Sequence, residues 1–459
     1  MTFGQWLRLM LVGFGASVVP LDTAVNISFP DITRSFGLPI QMIQWVVICY
    51  VLTYASLMLA FGRVGDIFGH ARVFRAGLLW SVAAFMLCAA APAYGWLLFF
   101  RFLQGIGAGL VISVAPALVT GLYPEHRRSR AVAAFTMMFA IASAAGPLIG
   151  GVVVRYWGWP AVFWFRAPIA LVALVFVKGL PESPRSRARE PLDIVGAILL
   201  ALGISTLLLV LNELQRFGQH DYLAGPLIVI AAASLFGFAR RERRIGQPIV
   251  NLDLFRISGF VLVNLASILI YLTSFSVLLF APYYLVRFTG LSLPTAGIML
   301  AASFVAAMAA APLAGRIIEH IRAKHVAVLG ALLGGTGLFL VGSWDPGTPR
   351  QIPIIASTLM LQGFGVGLFQ VAYMDVVMAT IPRQQRGVAG SLAMLTRTLG
   401  IVSGATLLTL VFHGIETSAL AGGRGAEDAF LDAFRTTFRL AGLCSALTGV
   451  AMALAARAR

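Results

Sequence analysis

Apolar runs of about twenty residues follow one another along almost the whole chain, parted by short breaks rich in charge, glycine or proline. A bilayer core about 30 Å thick needs roughly 20 apolar residues per helix, each residue rising about 1.5 Å. By that measure the pattern predicts fourteen helices, near residues 6–27, 41–61, 73–92, 95–121, 131–154, 160–179, 192–212, 224–239, 259–284, 294–315, 325–343, 353–380, 387–412 and 434–455. The expected fold class is an all-α polytopic membrane protein.

The polar positions between the runs add an orientation. With the N-terminus inside, every second loop collects arginine: Arg63, Arg72 and Arg75, then Arg127, Arg128 and Arg130, then Arg185, Arg187 and Arg189. Arg240, Arg241, Arg243 and Arg244 follow, then Arg316, Arg322 and Lys324, then Arg383 and Arg386. The opposite loops hold a thinner set, such as Arg34, Arg155, Arg216, Arg287, Arg350 and Arg424. This is the positive-inside asymmetry, so both termini are expected in the cytoplasm. Composition agrees, with 59% hydrophobic and 11% charged residues and a mean hydropathy of +0.89. The net charge of +16 therefore reports topology, and a nucleic-acid partner is excluded because no basic face interleaves with aromatics. Cys49, Cys88 and Cys444 all fall inside apolar runs, which suits small packing residues and neither a disulfide framework nor a metal site. The first apolar run is long and contains Asp22, unlike a cleavable signal peptide. Arginine far outnumbers lysine, as in GC-rich bacteria, and the expected location is the bacterial cytoplasmic (inner) membrane.

The chain also repeats itself. Leu103, Gln104, Gly105, Gly107 and Gly109 recur as Leu361, Gln362, Gly363, Gly365 and Gly367, and Pro124 to Arg128 recurs as Pro382 to Arg386, both at an offset of 258. Gly62, Arg63 and Asp66 are echoed by Gly315, Arg316 and Glu319 at an offset of 253. Six helices with short loops need only about 180–200 residues, so roughly two more helices fit between the repeats. The predicted organisation is a six-helix bundle over 1–180, an inserted two-helix segment over 181–258 and a second six-helix bundle over 259–459.

Four segments carry chemistry. Arg101 lies inside WLLFFRFLQGIGAGLV. A guanidinium in hydrocarbon costs at least about 3 kcal/mol and cannot shed its proton, so it either snorkels to the interface or faces the bundle interior with a partner. In Leu21-Asp22-Thr23-Ala24-Val25-Asn26-Ile27-Ser28-Phe29-Pro30, Asp22 and Asn26 are spaced i and i+4 and share a helical face. A carboxylate in a low-dielectric cavity holds its proton more tightly than in water, which suits a proton carrier, while a permanently paired structural acid is the other reading. Gly62-Arg63-Val64-Gly65-Asp66-Ile67-Phe68-Gly69-His70-Ala71-Arg72 has the glycines of a tight helix reversal and an acid able to take charge-assisted hydrogen bonds. Ala142, Gly146, Pro147, Gly150 and Gly151 allow close helix approach and a bend, as plain packing also would.

Together these motifs resemble the major facilitator superfamily, and within it the fourteen-span drug:proton antiporter branch, over essentially the whole chain. The resemblance implies two six-helix bundles plus two inserted helices. It makes Gly62, Asp66, Gly69 and Arg72 a latch between the halves, weakened by Ile67, His70 and Ala71 at positions where basic residues are common. It associates Arg101 with proton coupling, Asp22 with the span-one signature, and Gly146, Pro147, Gly150 and Gly151 with export. Ala142 departs from the family's first glycine, Arg166 replaces its usual Asn, and the second repeat has Leu359 where Arg101 aligns. The second-half counterpart of the export motif keeps Gly400 and Gly404 but lacks its proline pair.

Asn26, Gln104, Asn264, Ser267, Tyr271 and Arg397 are the remaining candidates for a substrate cavity, with Ser274 on the same stripe as Tyr271. Hydrogen bonding between helices explains Asn264 and Ser267 equally well. Asp375 suits an interfacial pairing with Arg383 or Arg386, and Glu213 and Glu416 suit the outer surface. No Gly-x-x-x-x-Gly-Lys-Ser/Thr loop surrounds Lys178 or Lys324, and no histidine pattern suits a metal or a nucleophile, so neither an ATPase nor another enzyme is expected. The expected activity is secondary active export of small amphipathic drugs or toxic metabolites, cationic ones included, in exchange for protons. The proton gradient is then the energy source and no cofactor is needed. The alternatives are an exporter of one metabolite or antibiotic, an uptake symporter, and the inner-membrane component of an efflux complex with a periplasmic adaptor. Depth arithmetic adds one expectation: entering from opposite sides, Asp22 lies roughly 22–24 Å in and Arg101 about 8 Å below the outer boundary, nearly one level.

Overall fold

The structure, a computed structural model, describes residues 3–121, 128–177, 193–213, 224–244, 258–346, 351–380 and 386–457. Every regular element among them is helical. The first stretch runs α1 (Phe3–Ser17), a 3-10 turn (Pro20–Thr23), α2 (Ala24–Ile27), α3 (Phe29–Ser35), a second 3-10 turn (Ile40–Ile43), α4 (Gln44–Phe68), α5 (His70–Ala89), α6 (Tyr94–Gly121), α7 (Arg128–Trp157), α8 (Ala161–Trp164) and α9 (Arg166–Val177). It continues through α10 (Ile194–Glu213), α11 (Ala224–Glu242), α12 (Ser258–Arg287), α13 (Leu293–Ile318), α14 (Ala323–Val341), α15 (Gln351–Thr380), α16 (Arg386–Ala421) and α17 (Ala426–Arg457). Helix occupies each of the expected apolar runs. Among the described residues eleven segments are long and apolar enough to cross a membrane, and Ala161–Val177 and Ile198–Leu207 are shorter apolar helices.

Two expectations about element boundaries change. The first run is not one straight helix: α1 stops at Ser17, and Pro20, which lacks an N–H, opens the tight turn that carries Asp22. Asp22 and Asn26 therefore lie on different elements, the turn and α2. The segment expected as a loop over 62–72 is helical up to Phe68, and Gly69 alone, at φ +98°, separates α4 from α5. That left-handed backbone is what glycine supplies there. The side chains of Arg63 and Asp66, the segment 181–192 and the loop residues Pro124–Arg127 and Pro382–Arg383 lie outside the described residues.

The chain forms two compact units, one of Met1–Ala201 with Leu293–Gly297, the other of Leu202–Ser292 with Ile298–Arg459. In the first, α6 packs between α4 and α5, while α7 packs on α1, α2 and the Asp22 turn. In the second, α14 packs between α15 and α17, and α12 packs on α16 and α17. Large apolar side chains such as Leu79, Trp96, Phe176 and Leu447 are exposed, as a lipid-facing surface requires.

The repeated Leu-Gln-Gly-x-Gly-x-Gly segment has the same construction in both units. Residues at i and i+4 share a face and the one between them does not. A Cβ on Gly105 would lie 2.7 Å from the Tyr50 carbonyl of α4, one on Gly109 would meet Phe61 of the same helix, and one on Gly107 would lie 3.1 Å from the Ser81 amide nitrogen of α5. The second unit reproduces this, with Gly363 against Ser303 and Gly367 against Ala307 of α13, and Gly365 against Gly334 of α14. Each central helix thus presents side-chain-free faces to two neighbours, against backbone alone at Gly363 and Gly365 and against side chains such as Thr53 and Phe61 in the first unit.

Aromatic packing closes the second unit. Phe430, Phe434 and Phe438 form a buried i, i+4, i+8 stripe on α17. Phe434 stacks on Tyr284 at 4.8 Å between ring centroids, Phe430 on Phe288 at 5.1 Å, and Phe280 on Phe412 at 4.4 Å. Trp344 beside this cluster donates Nε1 to Thr358 Oγ1 at 3.0 Å. Trp344→Phe removes that bond and leaves a small void, so stability is expected to fall by about 1–3 kcal/mol, read as a lower melting temperature in detergent.

Candidate functional site

Arg101 sits two turns into α6 and is fully buried, 1% exposed. Its planar fork grips Asp22 end-on with two parallel bonds, Nη1 to Oδ1 at 2.7 Å and Nη2 to Oδ2 at 2.8 Å. Two further donors are used as well: Nε donates to the Val46 carbonyl at 2.7 Å and Nη1 to Gln104 Oε1 at 2.9 Å. Gln104, one turn along the same face of α6, returns its Nε2 to Asp22 Oδ1 at 3.0 Å. The guanidinium also lies over the Tyr50 ring of α4, 4.3 Å from its centroid. The depth argument thus leads to a contact, and Gln104, a candidate for the cavity lining, takes part in the grip on Asp22.

The fourth member was not assigned a role from sequence. Arg166 opens α9, is wholly buried, and donates Nη1 to Asp22 Oδ1 at 2.6 Å. Its Nε donates to the Val162 carbonyl at 3.0 Å, and its guanidinium carbon stands 4.5 Å from the Phe85 ring centroid. Phe163 lies 5.7 Å from both guanidinium carbons. Two guanidiniums therefore face one carboxylate, and the group carries one unit of positive charge. The signal was present: an arginine inside FWFRAPIALVALVFV is as costly as Arg101, but its closeness to a helix start disguised its burial.

The turn bearing Asp22 is held from α7 by the residues of the expected export motif. Pro147 has no N–H, so the Ser143 carbonyl one turn before it lacks its helical donor. That carbonyl accepts from Thr23 Oγ1 at 2.9 Å, next in sequence to Asp22. Gly146 abuts Thr23, and a Cβ on Gly150 would lie 2.8 Å from the Ala24 carbonyl. Gly151 abuts the Leu293 carbonyl in the segment that clusters with this unit. A Thr23→Val exchange keeps the shape but leaves the Ser143 carbonyl unsatisfied, and is expected to cost about 1–3 kcal/mol, read as a lower melting temperature.

The other candidates are placed as follows. Gly62 has open space around its Cα, Gly69 forms the reversal and Arg72 follows it, exposed, at the start of α5. Asn26 is buried in α2. In the second unit Asn264 donates to the Phe260 carbonyl at 2.7 Å and accepts from Tyr373 Oη at 2.9 Å, while Ser267 Oγ lies 3.2 Å from Thr396 Oγ1. Tyr373 Oη also lies 3.0 Å from Thr396 Oγ1. Asn264 and Ser267 thus tie α12 to α15 and α16, the hydrogen-bonding reading of these residues. Tyr271 is buried with the half-buried Arg397 over its ring at 5.4 Å. Leu359, aligned with Arg101, is fully buried without a charge to pair. Among the described residues no cluster of His, Cys, Asp or Glu suits a metal ion.

A family model described as Major Facilitator Superfamily matches residues 9–250 and 263–459. Puromycin resistance protein pur8 of Streptomyces alboniger is 29% identical over 425 residues, covering 91% of this chain and 84% of its own. Multidrug resistance protein Stp of Mycobacterium tuberculosis is 28% identical over 407 residues, covering 88% and 75%. The fold is similar to that of a bacterial homologue of the human lysosomal transporter Spinster, solved inward-facing and unoccupied, with a TM-score of 0.74 at 16% identity over 100% of this chain and 98% of that one.

Proposed function

This chain belongs to the Major Facilitator Superfamily, a family of membrane transporters and not of enzymes, and on that premise we propose that it exports small amphipathic compounds in exchange for protons by alternating access. The observation that carries the proposal is the bidentate Arg101–Asp22 pair, its arginine buried and its carboxylate largely so, reinforced by Gln104. A proton arriving at Asp22 must displace guanidinium hydrogen bonds, so protonation and the local arrangement of three segments change together. Cargo and proton then favour opposite charge states of one carboxylate, which couples their fluxes.

The proposal includes fourteen spans, with α8–α9, α10 and α11 counted among them, and the inserted pair over 181–258 between bundles at 1–180 and 259–459. Both termini lie in the cytoplasm of a bacterial inner membrane, and Gly62, Asp66, Gly69 and Arg72 act as the latch. The export motif supports the outward direction, because Pro147 and Gly150 shape the seat of the Asp22 turn. Energy comes from the proton gradient without a cofactor. An exporter narrow for one compound is the second reading, favoured by the likeness to a protein named for resistance to a single antibiotic.

The test is transport of a fluorescent amphipathic dye in inverted vesicles under an imposed pH gradient. Wild type is expected to move dye only while the gradient lasts, and Arg101→Ala to fall at least about tenfold, the effect of about 1.4 kcal/mol on the transport barrier. If Asp22→Asn and Arg101→Ala both transport at the wild-type rate, the coupling assignment fails.

A further inference from the structure

Arg101 and Arg166 hold the same carboxylate but are not equivalent. Arg101 spends every nitrogen, on Val46, Gln104 and both oxygens of Asp22. Arg166 touches Asp22 through Nη1 alone, and its Nη2, although wholly buried, donates to no acceptor among the described residues. Tyr50, 4% exposed, is in the same position: its ring faces Arg101, it lies within electrostatic reach of Asp22, Arg101 and Arg166, and its Oη has no hydrogen-bond partner among the described residues. Buried donors are almost always satisfied, so two unsatisfied ones around one group with a surplus positive charge point to one ligand chemistry, a monovalent anion. The groups that face Asp22 are Arg101 and Gln104 from α6, Arg166 from α9, Tyr50 from α4 and Cys88 from α5. None of the others is a carboxylate.

We propose that Arg166 is the anion-binding arm of this cluster, pairing with a small monovalent anion when Asp22 takes up its proton. The inference rests on Asp22 being the proton site. Neutralising Asp22 would leave two buried guanidiniums without a counter-charge, and an incoming anion on Arg166 restores the net charge the cluster started with. The fixed arm, Arg101, keeps the carboxyl group in place, and the arm with the unused nitrogen exchanges partners. Chloride and the carboxylate of an organic cargo share this chemistry. With chloride, proton and halide load as a pair and cargo export remains an exchange. With a cargo carboxylate, cargo and proton would load together, an outcome that keeps the role given to Arg166 but replaces exchange by co-transport and so overturns the exchange reading.

The test is the melting temperature of the purified full-length protein in detergent from pH 5 to pH 8, with sodium gluconate as baseline and chloride or 1-naphthoate added at matched ionic strength. Wild type is expected to be stabilised by an anion at low pH, with apparent affinity weakening up to tenfold per pH unit as the pH rises, because one proton is bound with each anion. Asp22→Asn, a mimic of the protonated side chain, is expected to bind the anion at every pH. Arg166→Asn is expected to lose the shift, and Arg166→Lys to retain part of it, which separates lost binding from lost folding. Chloride dependence identifies the inorganic source, and naphthoate dependence alone identifies the cargo. The inference is overturned if neither anion shifts wild type or Asp22→Asn at any pH, or if Arg166→Asn keeps the full shift. Dye transport by the same preparations tests the proton reading separately, since proton-driven efflux without an anion shift removes only the role given to Arg166.

Discussion

Asp22→Asn is expected to abolish proton-driven efflux and to destabilise the protein strongly. Asparagine has nearly the volume of aspartate, so the loss is one of charge. Arg101 and Arg166 are both buried, and each donates to Asp22 within 2.8 Å. Removing one partner from a buried ion pair typically costs about 3–5 kcal/mol, because the remaining charge stays desolvated. Here two charges are stranded, so the cost belongs at the upper end. Thermal melting in detergent reads the stability term, and the double variant Asp22→Asn/Arg101→Gln is expected to recover part of it while transport stays lost. Such a split separates the structural role of the pair from its role in coupling. Arg101→Lys is expected to fail as well, since a point charge cannot span both carboxylate oxygens.

Gly365→Val has the next largest expected effect. A Cβ there would lie 2.6 Å from the Gly334 Cα and 2.7 Å from the Gly330 carbonyl, so backbone meets backbone and no rotamer change relieves the overlap. Overpacking of this kind costs about 1–3 kcal/mol and occasionally more. The yield of monodisperse protein in size-exclusion chromatography is expected to fall sharply. Gly107→Val is expected to be milder, because two of its three nearest neighbours are side-chain atoms, the Ser81 hydroxyl and the Trp80 ring, and its one backbone neighbour is 3.1 Å away. Gly315→Ala, with nothing within 4 Å of the added carbon, is expected to be neutral within about 0.5 kcal/mol.

The helices, the internal repeat and the Asp22–Arg101 partnership were legible in the chain because each has a simple physical signature. Apolar length announces a span, a repeated glycine pattern announces a repeated helix contact, and a guanidinium in hydrocarbon has few means of relief. What escaped depends on helix rotation. Most spans are apolar on all sides, so periodicity does not say which face meets which neighbour. Asn264 and Ser267 have the spacing of a cavity wall, and only the position of Tyr373 and Thr396 shows them joined to other helices. The bond from Thr23 to the carbonyl freed by Pro147 links positions 120 residues apart, beyond any local pattern. The break in the first span was marked by Pro20, yet the surrounding hydrophobicity masked it. Arg166 satisfied the rule that singled out Arg101, and applying it evenly would have placed both arginines on Asp22.

The most direct measurement of the coupling is cargo-elicited proton movement in proteoliposomes that enclose a pH-sensitive dye. Adding transported cargo outside at symmetric pH is expected to drive an opposite proton flux with wild type and none with Asp22→Asn. Proton movement by Asp22→Asn equal to that of wild type would contradict the assignment of Asp22 as the proton-carrying group.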